Sequence, residues 1–316
     1  MENKRNRPFD EKTPEHAQIS ASPLAASITR SASKQTFYTI RFLADHELIQ
    51  DAYRAYAYFR WVDDQLDQSS MKNSDRMAFV KRQAALIERC YRGERPRPLS
   101  DQEGMLVDLI AADQEPDSGL QAYIRNMHSV MAFDAERRGR LITGEELNRY
   151  TYHLAAAVTE AMHHFIGHGC QSPQGEGHYL AVSAAHITHM LRDTLEDVEA
   201  GYYNIPREYV EAYRIDPRDV QSEPYRKWVE GRIELARLYF NSGMEYLARV
   251  ENIRCRLAGY AYTARFTGVL NAIEREGYRV RSGYPECKGL SSALSMIWLA
   301  FLETFNDRPL VDSFQA

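Results

Sequence analysis

Apolar residues recur every three or four positions along most of this chain, the spacing typical of amphipathic and buried helices. Alternating β-branched runs, which are typical of strands, are nearly absent. Several predicted helices are apolar on more than one face, and no fixed repeat is visible, so one large all-α bundle is favoured over a solenoid. Helices are predicted over 36–48, 49–66, 77–91, 101–113, 118–135, 144–168, 174–199, 225–252, 255–277 and Leu290 to Phe305.

The breaks in this pattern indicate the domain organisation. Residues 1–22 are polar, contain two prolines and lack periodicity, which predicts a disordered N-terminal arm. The remaining residues, 23–316, are predicted to form a single helical domain. A Gly- and Pro-containing break lies at 93–98, and a looser stretch with three prolines spans 201–224.

Composition excludes several classes of protein. With 316 residues, 44% of them hydrophobic, the chain can bury a sizeable core and enclose a pocket. Its net charge of -5 argues against nucleic-acid binding. The four cysteines are far apart and signal neither a zinc site nor a disulfide framework. The N-terminus has no signal-peptide core, so a cytoplasmic setting is expected.

One acidic cluster lies in the helix predicted over 49–66, where segment 60–67 reads RWVDDQLD. Asp63 and Asp67 are four residues apart and therefore lie on one face of the helix. Like charges at this spacing repel each other, and a divalent cation removes that penalty. Mg²⁺ usually takes one or two carboxylates and completes its shell with water and phosphate. The pair is a candidate magnesium site, with Arg60 suited to bidentate phosphate contact.

A second acidic cluster, RDTLED at 192–197, lies far downstream. Asp193, Glu196 and Asp197 fall at i, i+3 and i+4, again on one helix face, and Arg192 precedes them. In an antiparallel bundle, carboxylates from facing helices can converge on a metal cluster. Either cluster alone is also compatible with a solvated acidic face, but both lie inside otherwise apolar helices.

Together these motifs resemble the squalene/phytoene synthase family, whose members carry Asp-x-x-x-Asp and Arg-Asp-x-x-Glu-Asp. Further segments match in the same order: SKQTFY at 33–38, YTYHLA at 150–155, IPRE at 205–208 and EGY at 276–278. The resemblance extends over roughly residues 30–290. It implies an isoprenoid synthase fold, a helical bundle around a central pocket.

The resemblance also implies a reaction. Two allylic prenyl diphosphates, farnesyl or geranylgeranyl, would condense head-to-head through a cyclopropyl intermediate to a squalene- or phytoene-type product, with loss of pyrophosphate. Three Mg²⁺ ions per site are implied. The use of NADPH stays open, because the chain has no dinucleotide fingerprint and some family members need none.

The predicted catalytic residues are Asp63, Asp67, Asp193, Asp197, Arg60 and Arg192, and the predicted metal ligands are these four aspartates with Glu196. Predicted substrate contacts bind diphosphate or offer aromatic faces to a carbocation, for which core packing is the alternative role. They are Ser33, Lys34, Phe37, Tyr56, Tyr150, His186, His189, Tyr203 and Asn204. Phe37 and Tyr150 coincide with family motif positions.

Some positions depart from the family pattern. The usual Gln-x-x-Asn before the second motif is His186 and His189 here, and the Arg-x-Tyr after it is YYN at 202–204. Histidine is a poorer magnesium ligand than an oxygen donor, but it can hydrogen-bond diphosphate or exchange a proton. Thr159 replaces a glycine and adds bulk where a prenyl chain would pass.

These departures keep two other functions open. One is a lyase of the same fold that ionises a single prenyl diphosphate and cyclises or quenches it. The other is a non-catalytic lipid-binding or assembly factor, ranked last because the aspartates are intact. Since substrate and product are greasy, peripheral membrane contact is also expected, although the helix Leu290 to Phe305 is favoured to pack on the bundle.

Overall fold

The computed structural model of the chain describes residues 18–284, apart from residues 69, 171, 172, 174 and 176. This part of the chain is helical and contains no strand. The helices are α1 (Gln18–Ala32), α2 (Lys34–Leu43), α3 (Ile49–Leu66), α4 (Asn73–Tyr91), α5 (Asp101–Ala112), α6 (Gly119–Arg137), α7 (Gly144–Phe165), α8 (Leu180–Arg192), α9 (Thr194–Ala200), α10 (Arg207–Tyr213), α11 (Glu223–Ala248) and α12 (Ile253–Arg275), with a 3-10 turn at His46–Leu48. The all-α prediction is confirmed.

Local sequence sets where the helices begin. Ser100 and Glu103 form a capping box at the start of α5, and Thr143 and Glu146 form another at α7. In each, the hydroxyl and the carboxylate accept hydrogen bonds from backbone N–H groups that the helix itself leaves unpaired. Ser33 caps α2 by accepting from the N–H of Thr36 at 3.1 Å.

Helix α8 is the centre of the bundle and is buried along nearly its whole length. Helices α7, α11 and α12 pack around it, α6 packs on α7, and α3 packs on α1, α5 and α6. Helix α11 runs antiparallel to α8, because Tyr225 contacts Thr194 while Gly243 lies against Ala181. A Cβ on Gly243 would come 2.5 Å from the backbone N of Ala181, so only glycine permits this approach.

A small cavity lies between α7, α8, α11 and α12, and within its lining the sulfur of Cys255 on α12 lies 3.6 Å from Nδ1 of His163 on α7. Towards the C-terminal end of α8, Tyr150 of α7 and Phe266 of α12 lie beside His186 and His189 of α8, respectively. The second acidic motif begins at that end of α8, at Asp193.

The structure differs from some predicted boundaries. Helix α1 begins at Gln18, inside the segment 1–22 that is predicted as a disordered arm. The single helix predicted over 174–199 is wrong, because it breaks at Asp193 into α8 and α9. The predicted final helix, Leu290 to Phe305, lies outside the described residues. None of the helices within 18–284 combines the length and apolar character needed to cross a bilayer.

Candidate active site

The first acidic pair lies at the C-terminal end of α3. The N–H of Asp67, the residue that follows α3, donates to the carbonyl of Asp63 at 2.9 Å, so the last turn keeps both on one face. Burial, with the charges of Asp67 and Asp134, raises the pKa of Asp63 to about 6 against the nearby Arg60. Arg60 donates to Oδ2 of Asp63 at 3.2 Å and also pairs with Asp64. Arg60 therefore offsets part of the negative charge of this pair.

The second pair spans the break between α8 and α9. The N–H of Asp197 donates to the carbonyl of Asp193 at 2.8 Å, which keeps the two one helical turn apart despite the break. Burial raises the pKa of Asp197 to about 6, with Arg137 acting against the shift and Asp193 adding to it. This second pair, like the first, combines burial with like charge.

Asp193 differs from its neighbours because it is already neutralised. Arg192 holds it in a bidentate pair, from Nε at 2.6 Å and Nη2 at 2.7 Å, and Nε2 of His189 lies 2.8 Å from Oδ2. Burial opposes ionisation of Asp193, but the hydrogen bonds from Arg192 and His189 outweigh it and hold its pKa well below the usual range.

A hydrogen-bonded chain runs from α6 to the second motif. Arg137 donates from Nε to Asp134 at 2.7 Å and from Nη1 to Oδ1 of Asn204 at 2.8 Å. Asn204 in turn donates from Nδ2 to Asp197 at 2.7 Å. Asp134 lies close enough to Asp67 for the charge of Asp67 to raise its pKa, in addition to the larger effect of burial. The chain therefore starts near the first acidic pair, where Asp134 and Asp67 repel each other, and ends at Asp197 of the second.

The sequence predicts Asn204 as a substrate contact and singles out Tyr202 as a departure from the family pattern, but it gives no role to Asp134 or Arg137. The guanidinium of Arg137 lies 4.8 Å from the ring centroids of both Tyr150 and Tyr202. The sequence does contain a signal for this pair, since Asp134 and Arg137 are three residues apart inside an apolar helix. Charged residues at such a spacing are usually solvated, so the spacing alone does not identify Asp134 as a residue of the site.

Helices α2 and α3 carry further predicted substrate contacts, and Ser33 caps α2. Tyr56 of α3 lies near Ser33 and Thr36, and it lies two turns before Asp63 on the same face of α3. Lys34, the first residue of α2, is exposed. The structure thus brings Ser33 and Tyr56 near the first acidic pair.

Phe37 lies apart from that group. Its ring stacks on Tyr53, with ring centroids 5.3 Å apart, and belongs to a smaller core cluster that includes Ala25 of α1. Tyr203 is half-buried near the exposed Arg218, and its neighbour Tyr202 faces Arg137 instead. The contacts of Phe37 with Tyr53 and with this cluster favour a role for Phe37 in core packing.

Tyr150 and His186 are buried beside the acids. The hydroxyl of Tyr150 donates to Oδ2 of Asp134 at 2.9 Å, and its ring meets His186 edge-on at 4.9 Å between centroids. Both ring nitrogens of His186 are buried without a hydrogen-bond partner among the described residues. Burial, with the charges of His189, Arg137 and Arg232, lowers the pKa of His186 well below its ordinary value. The imidazole is therefore neutral.

Nearer the start of α8, a cavity of about 20 Å³ lies between α7, α8, α11 and α12. Thr159 is buried there and its hydroxyl has no partner within the described residues. The cavity is lined by Thr159, Met162, His163, His178, Ala181, Val182, Tyr246, Leu247, Cys255, Gly259 and Tyr262. This cavity is therefore both small and partly polar.

The residues present suit magnesium in donor type. Asp63, Asp67, Asp193 and Asp197 offer hard carboxylate oxygens in pairs, and a divalent cation relieves the like charge within each pair. Glu196 is exposed, and its carboxylate accepts from the hydroxyl of Ser282 at 2.7 Å. Among residues 18–284 no three acidic, histidine or cysteine side chains converge into a ready-made metal cage. The pairs thus fit a cation whose shell is completed by water and phosphate.

Comparison with known proteins places the chain in a family. The family model described as squalene/phytoene synthase matches residues 29–290. The chain is 26% identical to 15-cis-phytoene synthase of Synechocystis sp. over 301 residues, covering 87% of this chain and 85% of that protein. It is also 26% identical to phytoene synthase of Thermus thermophilus, over 78% of this chain and 81% of that protein.

Solved structures show the same fold. A dehydrosqualene synthase in complex with a ligand superposes with a TM-score of 0.71 at 15% identity, covering 93% of this chain and all of that chain. Squalene synthase HpnC from Alicyclobacillus acidocaldarius superposes with a TM-score of 0.64 at 20% identity, covering 83% of this chain and 95% of that chain. The chain belongs to the squalene/phytoene synthase family and is a prenyltransferase of the type that condenses prenyl diphosphates head-to-head.

Proposed function

We propose that this enzyme condenses two farnesyl or geranylgeranyl diphosphates head-to-head, with Mg²⁺ and with release of pyrophosphate, to a squalene- or phytoene-type hydrocarbon. The observation that best supports this is the polar chain from Asp134 through Arg137 and Asn204 to Asp197. This chain starts near Asp67 of the first acidic pair and ends at Asp197 of the second, which is distant from it in sequence. A diphosphate held between them would contact both motifs at once.

The aspartates would hold the metal ions. Asp63, Asp67, Asp193 and Asp197 are the proposed ligands, with Glu196 at the rim. Bound magnesium supplies Lewis-acid stabilisation of the departing diphosphate. The pKa values of Asp63 and Asp197, about 6 in each case, are raised mainly by burial and also by neighbouring acids, yet they lie below 7, so both groups are mostly ionised at neutral pH and repel those neighbours. That repulsion favours cation binding.

The arginines would exchange partners when substrate arrives. Arg60 pairs with Asp63, and Arg192 with Asp193, so each guanidinium neutralises an acid of the metal site. With those carboxylates holding a divalent cation, Arg60 and Arg192 would donate to phosphate oxygens, which the planar guanidinium fits well. Arg137 stays fixed, because Asp134 and Asn204 both accept from it.

The pocket below would protect the carbocation. Tyr150 presents its ring there, and carbocations are attracted to electron-rich aromatic faces. The neutral state of His186 matters for the same reason, since an imidazolium beside the cation would repel it. The site therefore concentrates negative charge at the diphosphate end and avoids a positive charge at His186.

A lyase acting on a single prenyl diphosphate is the second candidate. The observation that favours it is the small cavity of about 20 Å³ beside Thr159, which leaves little room at the inner end of the pocket for a long chain. Such an enzyme would use the same aspartates to ionise its substrate. The two candidates differ in the carbon count of the product.

Product analysis tests the proposal directly. The purified protein is incubated with Mg²⁺ and farnesyl or geranylgeranyl diphosphate, with and without NADPH, and both pyrophosphate and extracted hydrocarbons are measured. A product with twice the carbon count of the substrate is expected. A product with unchanged carbon count would favour the lyase, and the absence of pyrophosphate release with either substrate would refute both.

Adjacent acids provide a matched control for the metal site. Asp63→Asn should reduce turnover by at least a hundredfold, because it removes a proposed metal ligand without changing side-chain size. Asp64→Asn should leave turnover within about threefold, since the Asp64 side chain is 51% exposed and only pairs with Arg60. Equal loss in both variants would contradict the assignment of Asp63.

A further inference from the structure

Helix α2 presents an unusual surface to solvent. None of its ten residues is buried, and its exposed side chains fall at the spacing of one helix face. We call this surface the α2 outer face, and it consists of Lys34, Gln35, Tyr38, Arg41 and Phe42. The opposite side of α2 packs on α1, α3 and α12, so the helix is anchored while this face points outward.

Aromatic rings dominate the outer end of this face. Phe42 is 72% exposed and Tyr38 is 47% exposed, and the two rings stack with centroids 6.0 Å apart. Ile253, which is 51% exposed, lies close by, because the adjacent Arg254 donates to the carbonyl of Leu43 at the end of α2. An apolar cluster in water is unfavourable, and clustering of this kind marks an interaction surface.

The charge of this face is positive, although the whole chain carries a net charge of -5. Lys34 and Arg41 flank the aromatic rings, and the sequence of α2 contains no acidic residue. The nearby Asp45 is already paired with Arg254, and Glu47 is the acid that follows it in the 3-10 turn. A local positive patch on an acidic protein favours a partner with a negatively charged surface.

We propose that the α2 outer face docks on an anionic lipid bilayer. Exposed aromatic rings beside lysine and arginine are the combination that lies at the boundary between lipid headgroups and acyl chains. An acidic protein would pair with Lys34 and Arg41 but would not require Phe42 and Tyr38 to stack outward in water. The charge and the apolar area together favour lipid.

Docking through this face would orient the active site. Helix α2 begins after Ser33, which lies near Tyr56 on the face of α3 that carries Asp63. A docked α2 would therefore place this end of the site near the membrane surface, where amphiphilic prenyl diphosphates accumulate. This advantage rests on the proposed function, whereas the docking itself does not.

Vesicle sedimentation tests the docking. The full chain is mixed with phosphatidylcholine vesicles that contain either no anionic lipid or roughly 30% phosphatidylglycerol, an anionic content at which the surface charge attracts basic segments. The fraction of protein that sediments with the vesicles is measured at low and high salt. Binding is expected only with phosphatidylglycerol, and it should weaken with salt. Arg41→Gln should lower the partition coefficient about fivefold, since one basic residue near such a surface contributes that much. Phe42→Ser should lower it at least as much.

Matched controls are available on other helices. Leu238 of α11 is 60% exposed and Lys227 is an exposed lysine, so Leu238→Ser and Lys227→Gln change the same residue classes elsewhere. Both should retain wild-type partitioning. Equal loss in these controls, or wild-type binding by both Phe42→Ser and Arg41→Gln, would overturn the proposal.

Two further readouts separate this proposal from its rivals. If Phe42→Ser lowered the melting temperature or changed the molecular mass in light scattering while vesicle binding stayed at the wild-type level, the face would be covered by protein and the proposal would be wrong. Pyrophosphate release from detergent-dispersed substrate should be unchanged by Phe42→Ser. If the wild-type protein released no pyrophosphate, the proposed function would be refuted, but the sedimentation result would still decide the docking proposal.

Discussion

Asn204 is the residue through which the structure makes its sharpest prediction. It is 8% exposed, donates to Asp197 at 2.7 Å and accepts from Arg137 at 2.8 Å. Asn204→Leu keeps the approximate size of the side chain and removes both hydrogen bonds. The polar link between α6 and the second acidic motif is then broken.

The expected magnitude follows from the charges involved. A hydrogen bond to a charged group contributes about 1.5–3 kcal/mol, and Asn204 makes two of them. Partial relaxation and the apolar area of leucine offset some of this loss, so we expect the free energy of unfolding to fall by about 3 kcal/mol. A comparable loss of transition-state stabilisation lowers kcat/KM about a hundredfold.

The pH dependence supplies a second readout that a merely structural role would not change. Although burial dominates the pKa of Asp197, the hydrogen bond from Asn204 acts to lower it. Its removal should move that pKa above about 6, so protons compete with Mg²⁺ at higher pH. In Asn204→Leu, the acid limb of kcat/KM should therefore shift upward at limiting Mg²⁺.

Steady-state kinetics with farnesyl diphosphate, measured from pH 5 to 8, would test this prediction. Asn271→Leu is the control, because Asn271 also accepts from an arginine, Arg237, at 2.8 Å but lies away from the aspartates. The control should lose some stability and keep the wild-type pH profile. Wild-type kcat/KM and an unshifted acid limb in Asn204→Leu would refute the role of the link.

Further predictions concern charge, shape and hydrogen bonding. Without metal, the free energy of unfolding should fall as pH rises from about 4 through 6, because Asp63 and Asp197 in the folded protein keep their protons to a higher pH than in the unfolded chain, where their pKa is 3.8. Added Mg²⁺ should therefore raise Tm more at pH 7.5 than at pH 5. An equal rise in Tm at the two pH values would contradict this. Thr159→Ala should favour longer prenyl chains by roughly tenfold in relative kcat/KM, and an unchanged preference would exclude Thr159 from the tail pocket. Tyr150→Phe should cost about 1.5–3 kcal/mol by denaturant unfolding, since Asp134 loses a hydrogen bond, whereas a loss below 0.5 kcal/mol would show that Asp134 finds another partner.

The sequence predicted the parts of the site that depend on local spacing. Helix α3 begins and ends at Ile49 and Leu66 as its apolar pattern indicates, so the stacking of Asp63 and Asp67 followed. Comparison with the family pattern added Asn204 to the predicted substrate contacts. The spacing of residues along the chain does not by itself relate Asn204 to either acidic motif.

Other features depend on tertiary contacts and were not predictable from pattern. The apolar periodicity continues through Asp193, so nothing local announced the break there. Asp134 belongs to the site only because α6 packs against α7 and lies beside the end of α3, and a lone acid in a helix carries no such information. Similarly, the arginines predicted to bind phosphate, Arg60 and Arg192, pair with aspartates before any ligand is bound.

A double-mutant cycle on ligand binding tests most directly whether the two motifs form one diphosphate site. The Kd of farnesyl thiodiphosphate, an analogue that ionises poorly, is measured by calorimetry with Mg²⁺ for the wild type, Asp63→Asn, Asp197→Asn and the double variant. If both acids hold one metal–diphosphate cluster, the double variant should bind more tightly than additivity predicts, by more than about 1 kcal/mol. Additive losses, within about 0.5 kcal/mol, would mean that the two motifs act independently and would contradict a single shared site.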